Sequence, residues 1–172
     1  ILNFTTLAQQ AKPSVVTTAA SKVGSTVATL NGTLSPNLTQ ILTVKFDLCT
    51  NAAMSAGCAA TPYTVYTTDD ATGNQIALAI AAGSSGNFIV SSDSNAGVQL
   101  VTGLVGGTTY YFRLFVTCTA DATYCPAGRV DGAVLSFTTG APAATTIGAT
   151  DIGGTSATLN GSVNANNTSN SA

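Results

Sequence analysis

Four cysteines stand in two close pairs, Cys49 with Cys58 and Cys118 with Cys125. Four thiols allow three disulfide pairings, and a metal site is the other chemistry open to them. Zinc usually takes cysteines at tighter spacing and often adds histidine, which this chain lacks. Disulfides are the expected use, and they imply an oxidising, extracytoplasmic setting. Catalysis has little to draw on. Glu, His and Trp are absent and all seven acids are Asp, so general acid/base work would fall to Asp or Tyr. The adjacent acids Asp69-Asp70 precede Ala-Thr-Gly73-Asn74. That string suits a Ca²⁺ loop, but Asp, Gly and Asn are also turn residues, and a turn is the expectation. The chain is therefore not expected to be an enzyme, and no catalytic, cofactor-binding or metal-binding residue is assigned.

Asn-x-Ser/Thr sequons occur at Asn3, Asn31, Asn37, Asn160, Asn166 and Asn167. Asn31 and Asn37 recur as Asn160 and Asn166 at one constant spacing. Covalent glycans at these positions are one expectation; Asn-Gly-Thr is also good strand-end chemistry. None of the six carries an acid two residues earlier, so the acidic type of bacterial sequon is not met.

Charged residues make up only 7 % of the chain, against about 25 % in an ordinary soluble domain. Thr, Ser, Asn, Gly and Ala supply the surface instead. Such a surface suits a protein packed against neighbours, coated with sugar, or both. Lys12, Lys22, Lys45, Arg113 and Arg129 are scattered and the net charge is −2, so nothing resembles a nucleic-acid-binding stripe. The longest apolar run, Ile76 to Ala82, is far short of the ~20 residues that span a bilayer. The chain does not start with Met, which suggests a removed leader or a start inside a longer polypeptide.

The elements that must position these residues repeat themselves. Residues 13–39 and 142–168 align at an offset of 129, with Ala-Thr-Leu-Asn-Gly at 28–32 recurring at 157–161. ILNFTT at 1–6 is similar to VLSFTT at 134–139. Repetition of this kind signals an array or a polymer of one module. Alternation of period two predicts strands over 26–34, 41–48, 63–67, 76–80, 87–91, 98–101, 109–117 and 133–138. In the first of these Ala28, Leu30, Gly32 and Leu34 share a face. In the second Leu42, Val44, Phe46 and Leu48 point inward. Only the Ala-rich stretch 51–60 could be helical. Many short strands between Gly, Asn, Asp and Pro turns argue for a sandwich.

The run Leu104-Val-Gly-Gly-Thr108-Thr-Tyr110-Tyr-Phe-Arg113 resembles the fibronectin type III signature, Leu-x-Pro-x-Thr-x-Tyr-x-x-Arg, with Gly106 in the usual place of Pro. Thr-x-Ala-Thr-Leu-Asn-Gly is similar to the second strand of prokaryotic members, and Phe137-Thr138-Thr139 to their closing strand. The resemblance implies an all-β, fibronectin type III-like or immunoglobulin-like β-sandwich in which Tyr110 anchors a corner. It also places Cys49 and Cys118 at opposite ends of neighbouring strands. It thereby favours bonds within each loop, 49–58 and 118–125. Residues 69–97 are longer than the family's connection and are expected to add an inserted hairpin.

The expected organisation is a complete domain over 13–140, flanked by partial repeats. Residues 1–12 would be a closing or donated strand plus linker, and 141–172 the opening strands of a following unit. Leu2 and Phe4 share one face of 1–6 and are the candidate assembly residues. The function this suggests is structural: a repeat or subunit of an extracellular filament, pilus-like fibre or surface stalk, whose partners are other copies of itself. The alternative is an adhesin or a carbohydrate-binding accessory module of a secreted protein.

Overall fold

The computed structural model describes residues 9–68, 75–92, 101–121 and 123–164. Among them the chain forms strands β1 (Ser14–Ser21), β2 (Val27–Ser35), β3 (Ile41–Cys49), β4 (Tyr63–Thr64), β5 (Tyr66–Thr68), β6 (Gln75–Ala77), β7 (Phe88–Ser91), β8 (Val101–Thr102), β9 (Thr109–Cys118), β10 (Arg129–Asp131), β11 (Leu135–Thr138), β12 (Ala143–Thr150) and β13 (Thr158–Asn164). One sheet has the order β1-β2-β7, with β8 also on β2. The other has the order β10-β9-β3-β4, with β11 also on β9. Every pairing is antiparallel.

The two sheets enclose one core, as an all-β sandwich does. Leu30 and Leu34 of the first sheet and Val44, Phe46, Phe112, Leu114 and Val116 of the second are all fully buried. Phe112 sits edge-on to Phe137, and Tyr110 stacks on it. At Gly32 the facing sheet comes close. A Cβ there would lie 2.7 Å from Leu114 Cδ2 and 2.8 Å from the Val16 carbonyl oxygen, so only glycine fits.

Several local expectations are corrected. Leu42 does not point inward; it is 45 % exposed, and Ile41 takes the core position at 1 %. The register slips between Ile41 and Thr43 against Cys118 and Thr117, and this one-residue bulge turns Leu42 outward. Residues 51–60 are turns and a bridge rather than a helix. The Cys49–Cys58 bond closes that loop, and Met54 (φ 53°) and Gly57 (φ 61°) take left-handed conformations that no α-helix contains. The inserted hairpin is β5–β6, which begins before residue 69, while β7, within 69–97, belongs to the main sheet.

Strand β1 escapes the alternation rule because its one fully buried residue is polar. Thr17 is buried while Val16 is half exposed. The Thr17 hydroxyl is tolerated inside because it accepts the Leu114 N–H at 3.0 Å, tying one sheet to the other.

Candidate functional site: two poles and a repeated hairpin

The direction of each strand gives the sandwich two distinct poles. β3 has nine residues, so at about 3.3 Å per residue the poles are roughly 26 Å apart. Cys118 pairs with Ile41 at one end of β3, and Cys49 lies opposite Tyr111 at the other. The structure joins Cys49 to Cys58 and Cys118 to Cys125, with no free cysteine among the described residues. Each pole thus carries one stapled loop. Cys118 and Cys125 are buried in the core, whereas Cys58 is exposed.

The chain enters at the pole of Cys118. There the Ala11 N–H donates to the Asn37 carbonyl at 3.0 Å, Asn37 Nδ2 donates to the Lys12 carbonyl at 2.9 Å, and the Thr39 hydroxyl donates to the Ala11 carbonyl at 2.9 Å. Asn37 and Leu38 both have positive φ, 48° and 67°. Asn tolerates that region and a branched Leu seldom enters it. The turn is held by its bonds to the incoming segment.

The chain leaves at the pole of Cys49. Thr139 is buried; its hydroxyl donates to the Val105 carbonyl at 2.6 Å and accepts the Thr108 N–H at 3.0 Å. The Gly140 N–H donates to the Gly24 carbonyl at 3.1 Å. The Tyr110 hydroxyl accepts the Val105 N–H at 2.9 Å, which fixes the same corner. Gly106 has a physical reason to be glycine: a Cβ there would lie 2.9 Å from the Gly140 carbonyl oxygen and 3.3 Å from Pro142 Cδ. The outgoing segment therefore lies against this turn, and both connections are fastened to the sandwich.

Beyond Pro142 the first hairpin is built a second time. Among the described residues β12 and β13 pair only with each other, in the register of β1 and β2 shifted by 129 residues. Ser14↔Ser35 becomes Ala143↔Asn164, and Thr17↔Gly32 becomes Thr146↔Gly161. The bulge between Thr18 and Ser21 returns between Ile147 and Thr150. The turn bond Gly24 N–H to Val27 carbonyl returns as Gly153 to Ser156. Even the left-handed residue recurs, Lys22 at φ 48° and Asp151 at φ 49°. The copies differ in what covers them. Leu30 and Leu34 are 0 % and 1 % exposed, while their counterparts Leu159 and Val163 are 87 % and 78 % exposed.

Among the sequons, Asn31 Nδ2 donates to the Ala19 carbonyl at 2.9 Å and to Ser21 Oγ at 3.0 Å, bracing the bulge. Asn160 makes the corresponding pair with Gly148 and Thr150. Asn37 uses Nδ2 once, toward Lys12. Asn3, Asn166 and Asn167, the assembly residues Leu2 and Phe4, and Asp69-Asp70 lie outside the described residues.

A charge cluster that the sequence did not reveal lies on the outer face of β3, β9 and β10. Asp47 Oδ2 accepts from Arg113 Nε at 3.0 Å and from Arg129 Nη2. Asp131 accepts from Arg129 Nε at 2.6 Å and pairs with Arg113 Nη1 at 3.4 Å. The ring uses four of twelve charged side chains. Burial alone would lower the proton affinity of Arg129, but hydrogen bonds to Asp131 and Asp47 outweigh it and raise its pKa. The guanidinium also lies 3.5 Å over the Phe115 ring, which lets an outward aromatic be almost fully buried. Asp47 lies 66 and 82 positions from the two arginines it accepts from, so only the strand pairing closes the ring.

One open cleft of about 350 Å³ lies beside the incoming segment, lined by Gln10, Thr39, Gln40, Thr119 and Asp121 among others. Among the described residues no aromatic side chain lines it. Among the described residues no three His, Cys, Asp or Glu side chains come together to hold a metal ion, and no helix is long and apolar enough to cross a membrane.

The chain matches no protein-family model, no curated protein and no solved structure. What fold and site define is therefore a class: an all-β antiparallel sandwich with two intraloop disulfides, the mark of an oxidising environment. Its first hairpin is repeated outside its own core.

Proposed function

We propose that this chain is a structural repeat of an extracellular filament or surface stalk, built from sandwich modules joined pole to pole. The observation that carries the reading is the second hairpin, which reproduces β1–β2 down to register and side-chain bonds yet buries no core face. Its counterpart needs a complete sandwich around it, so the repeat makes sense as the start of a further module, with 13–140 as the complete one. Entry and exit at opposite poles give a linear succession of modules. Fastened connections at Asn37, Thr39 and Thr139 give it stiffness, and a disulfide at each pole closes the loop beside each connection. The strand order, and Tyr110 bonded to the corner at Val105, support a fibronectin type III-like module. Donation of the strand 1–6, through Leu2 and Phe4, is the other way such modules would join.

Glycans belong to the same reading, as a coat for a surface poor in charge. Attachment at Nδ2 replaces one of its hydrogens. Asn31 and Asn160 would each lose one of two bonds, while Asn37 keeps its bond to Lys12. Asn37 is the preferred site.

The alternative, a carbohydrate-binding or adhesive module, finds less support. The cleft at the entry pole offers polar groups but, among the described residues, no aromatic platform for a sugar ring. Electron microscopy of the native material tests the proposal. Regular fibres or stalks with a repeat of one module are expected. Dispersed single particles would overturn it, and intact mass then separates a covalent array from exchanged strands.

A further inference from the structure

We infer that the exposed face of β12–β13 is a receiving surface for the body of another module of this kind, a unit equivalent to residues 36–140. The inference rests on the repeat reading above and names the occupant. Three features of the face are imprints of that body. First, Ala157, Leu159 and Val163 stand where Ala28, Leu30 and Leu34 stand in the complete sandwich, and the latter three are buried against the facing sheet. A two-stranded ribbon with an open apolar face is marginal in water by itself.

Second, Gly161 is glycine in a strand interior, where it costs conformational entropy and where no described side chain stands within 4 Å of a Cβ added to it. A Cβ on Gly161 would meet only the Thr145 carbonyl oxygen, at 3.3 Å. A Cβ on its counterpart Gly32 would lie 2.8 Å from the Val16 carbonyl oxygen of its own hairpin and, closer still, 2.7 Å from Leu114 Cδ2 of the facing sheet. Glycine in a strand interior weakens the strand unless another group approaches closely. Gly161 is thus a socket for a leucine-like side chain.

Third, Thr146 repeats Thr17, whose hydroxyl accepts the Leu114 N–H from the opposite sheet. Thr146 is exposed and offers the same acceptor to a strand N–H. Apolar stripe, socket and acceptor together specify a facing β-sheet with the inner face of β3 and β9. A helix or a lipid surface would supply neither the N–H nor the fit over glycine. The chain's own body cannot be the occupant, because β1–β2 already covers it.

The test places the second hairpin on a body whose fold is known. In the full chain, residues 13–35 are replaced by the sequence of residues 142–164. The transplanted hairpin is expected to close the sandwich. Its central amides should then exchange with solvent at least about a hundredfold more slowly than the same sequence does at 156–164 in the natural chain. Replacing the transplanted socket glycine by Ala should abolish that protection, whereas Gly161→Ala in the natural chain should leave exchange at 156–164 unchanged. A transplanted chain that fails to fold, or folds without protecting the hairpin, overturns the inference. So does a transplanted glycine that tolerates Ala. Fibres in native material together with a failed transplant would keep the structural reading and discard this occupant. A successful transplant without fibres would do the reverse.

Discussion

Asn31 and Asn160 make the same two hydrogen bonds, each reaching from the second strand of a hairpin to a carbonyl twelve residues back and a hydroxyl ten residues back. The bond pair holds a bulge, so the residue matters through backbone geometry. Asn31→Ala should lower the stability of the sandwich by about 1–2 kcal/mol, the worth of two partly exposed bonds. Asn160→Ala should leave the main thermal transition unmoved, because β12–β13 stands outside the core. Calorimetry of the two variants compares them directly.

Asp47 is the hub of the charge ring, accepting from two guanidinium groups. Removing it leaves Arg113 and Arg129, the latter over Phe115, with Asp131 as their one shared counter-charge in the ring. Asp47→Ala should cost about 1–3 kcal/mol, between the values for exposed and buried pairs. The loss should shrink when Arg113 is also replaced. Urea unfolding of the single and double variants measures both, and equal losses would mean the residues are uncoupled.

Burial, and secondarily Tyr110, raise the pKa of the Tyr63 phenol above 10.0. The unfolded chain then releases this proton first as pH rises. The contribution of neutral Tyr63 is present in full below about pH 10 and is lost as pH climbs through the folded-state value. Stability should therefore fall more steeply above pH 10 in the natural chain than in Tyr63→Phe. Melting curves recorded between pH 8 and 11.5 decide this.

The two disulfides close loops of similar length, and the loop-entropy view gives each about 2–3 kcal/mol. Their surroundings differ: Cys118 and Cys125 belong to the core, and Cys58 is exposed. Replacing the 118–125 pair by Ala should cost more than replacing the 49–58 pair, because it also opens a cavity. Denaturant midpoints of the two double variants, measured under oxidising conditions, give the order.

Thr139 is a polar clamp at the exit pole. Thr139→Val keeps the shape but strands the Thr108 N–H, which donates to its hydroxyl. A loss of about 1–3 kcal/mol is expected. Proteolysis at 140–142 should become faster as the outgoing segment comes loose. Unchanged cleavage would show that the backbone bonds of Thr139 and Gly140 hold the segment without the hydroxyl.

The sequence by itself determined the class of fold, because two-residue alternation in β2 and β9 leaves a helix no continuous apolar face. It also determined the repeat, since a constant spacing between identical strings needs no structure to be seen. It missed β1, where Thr17 faces inward, because pattern reading counts Thr as a surface residue until its donor partner, the Leu114 N–H, is known. It misplaced Leu42, because a bulge is a slip between two strands and neither strand records it alone. The charge ring and the Thr139 clamp were beyond its reach for the same reason. Each joins residues tens of positions apart, and a hydrogen bond or ion pair depends on distances that only the packed sheets fix. The tertiary structure alone decided that the second hairpin copies the first in register while its core face stays bare. Sequence identity can repeat a ribbon, but burial requires a partner in space.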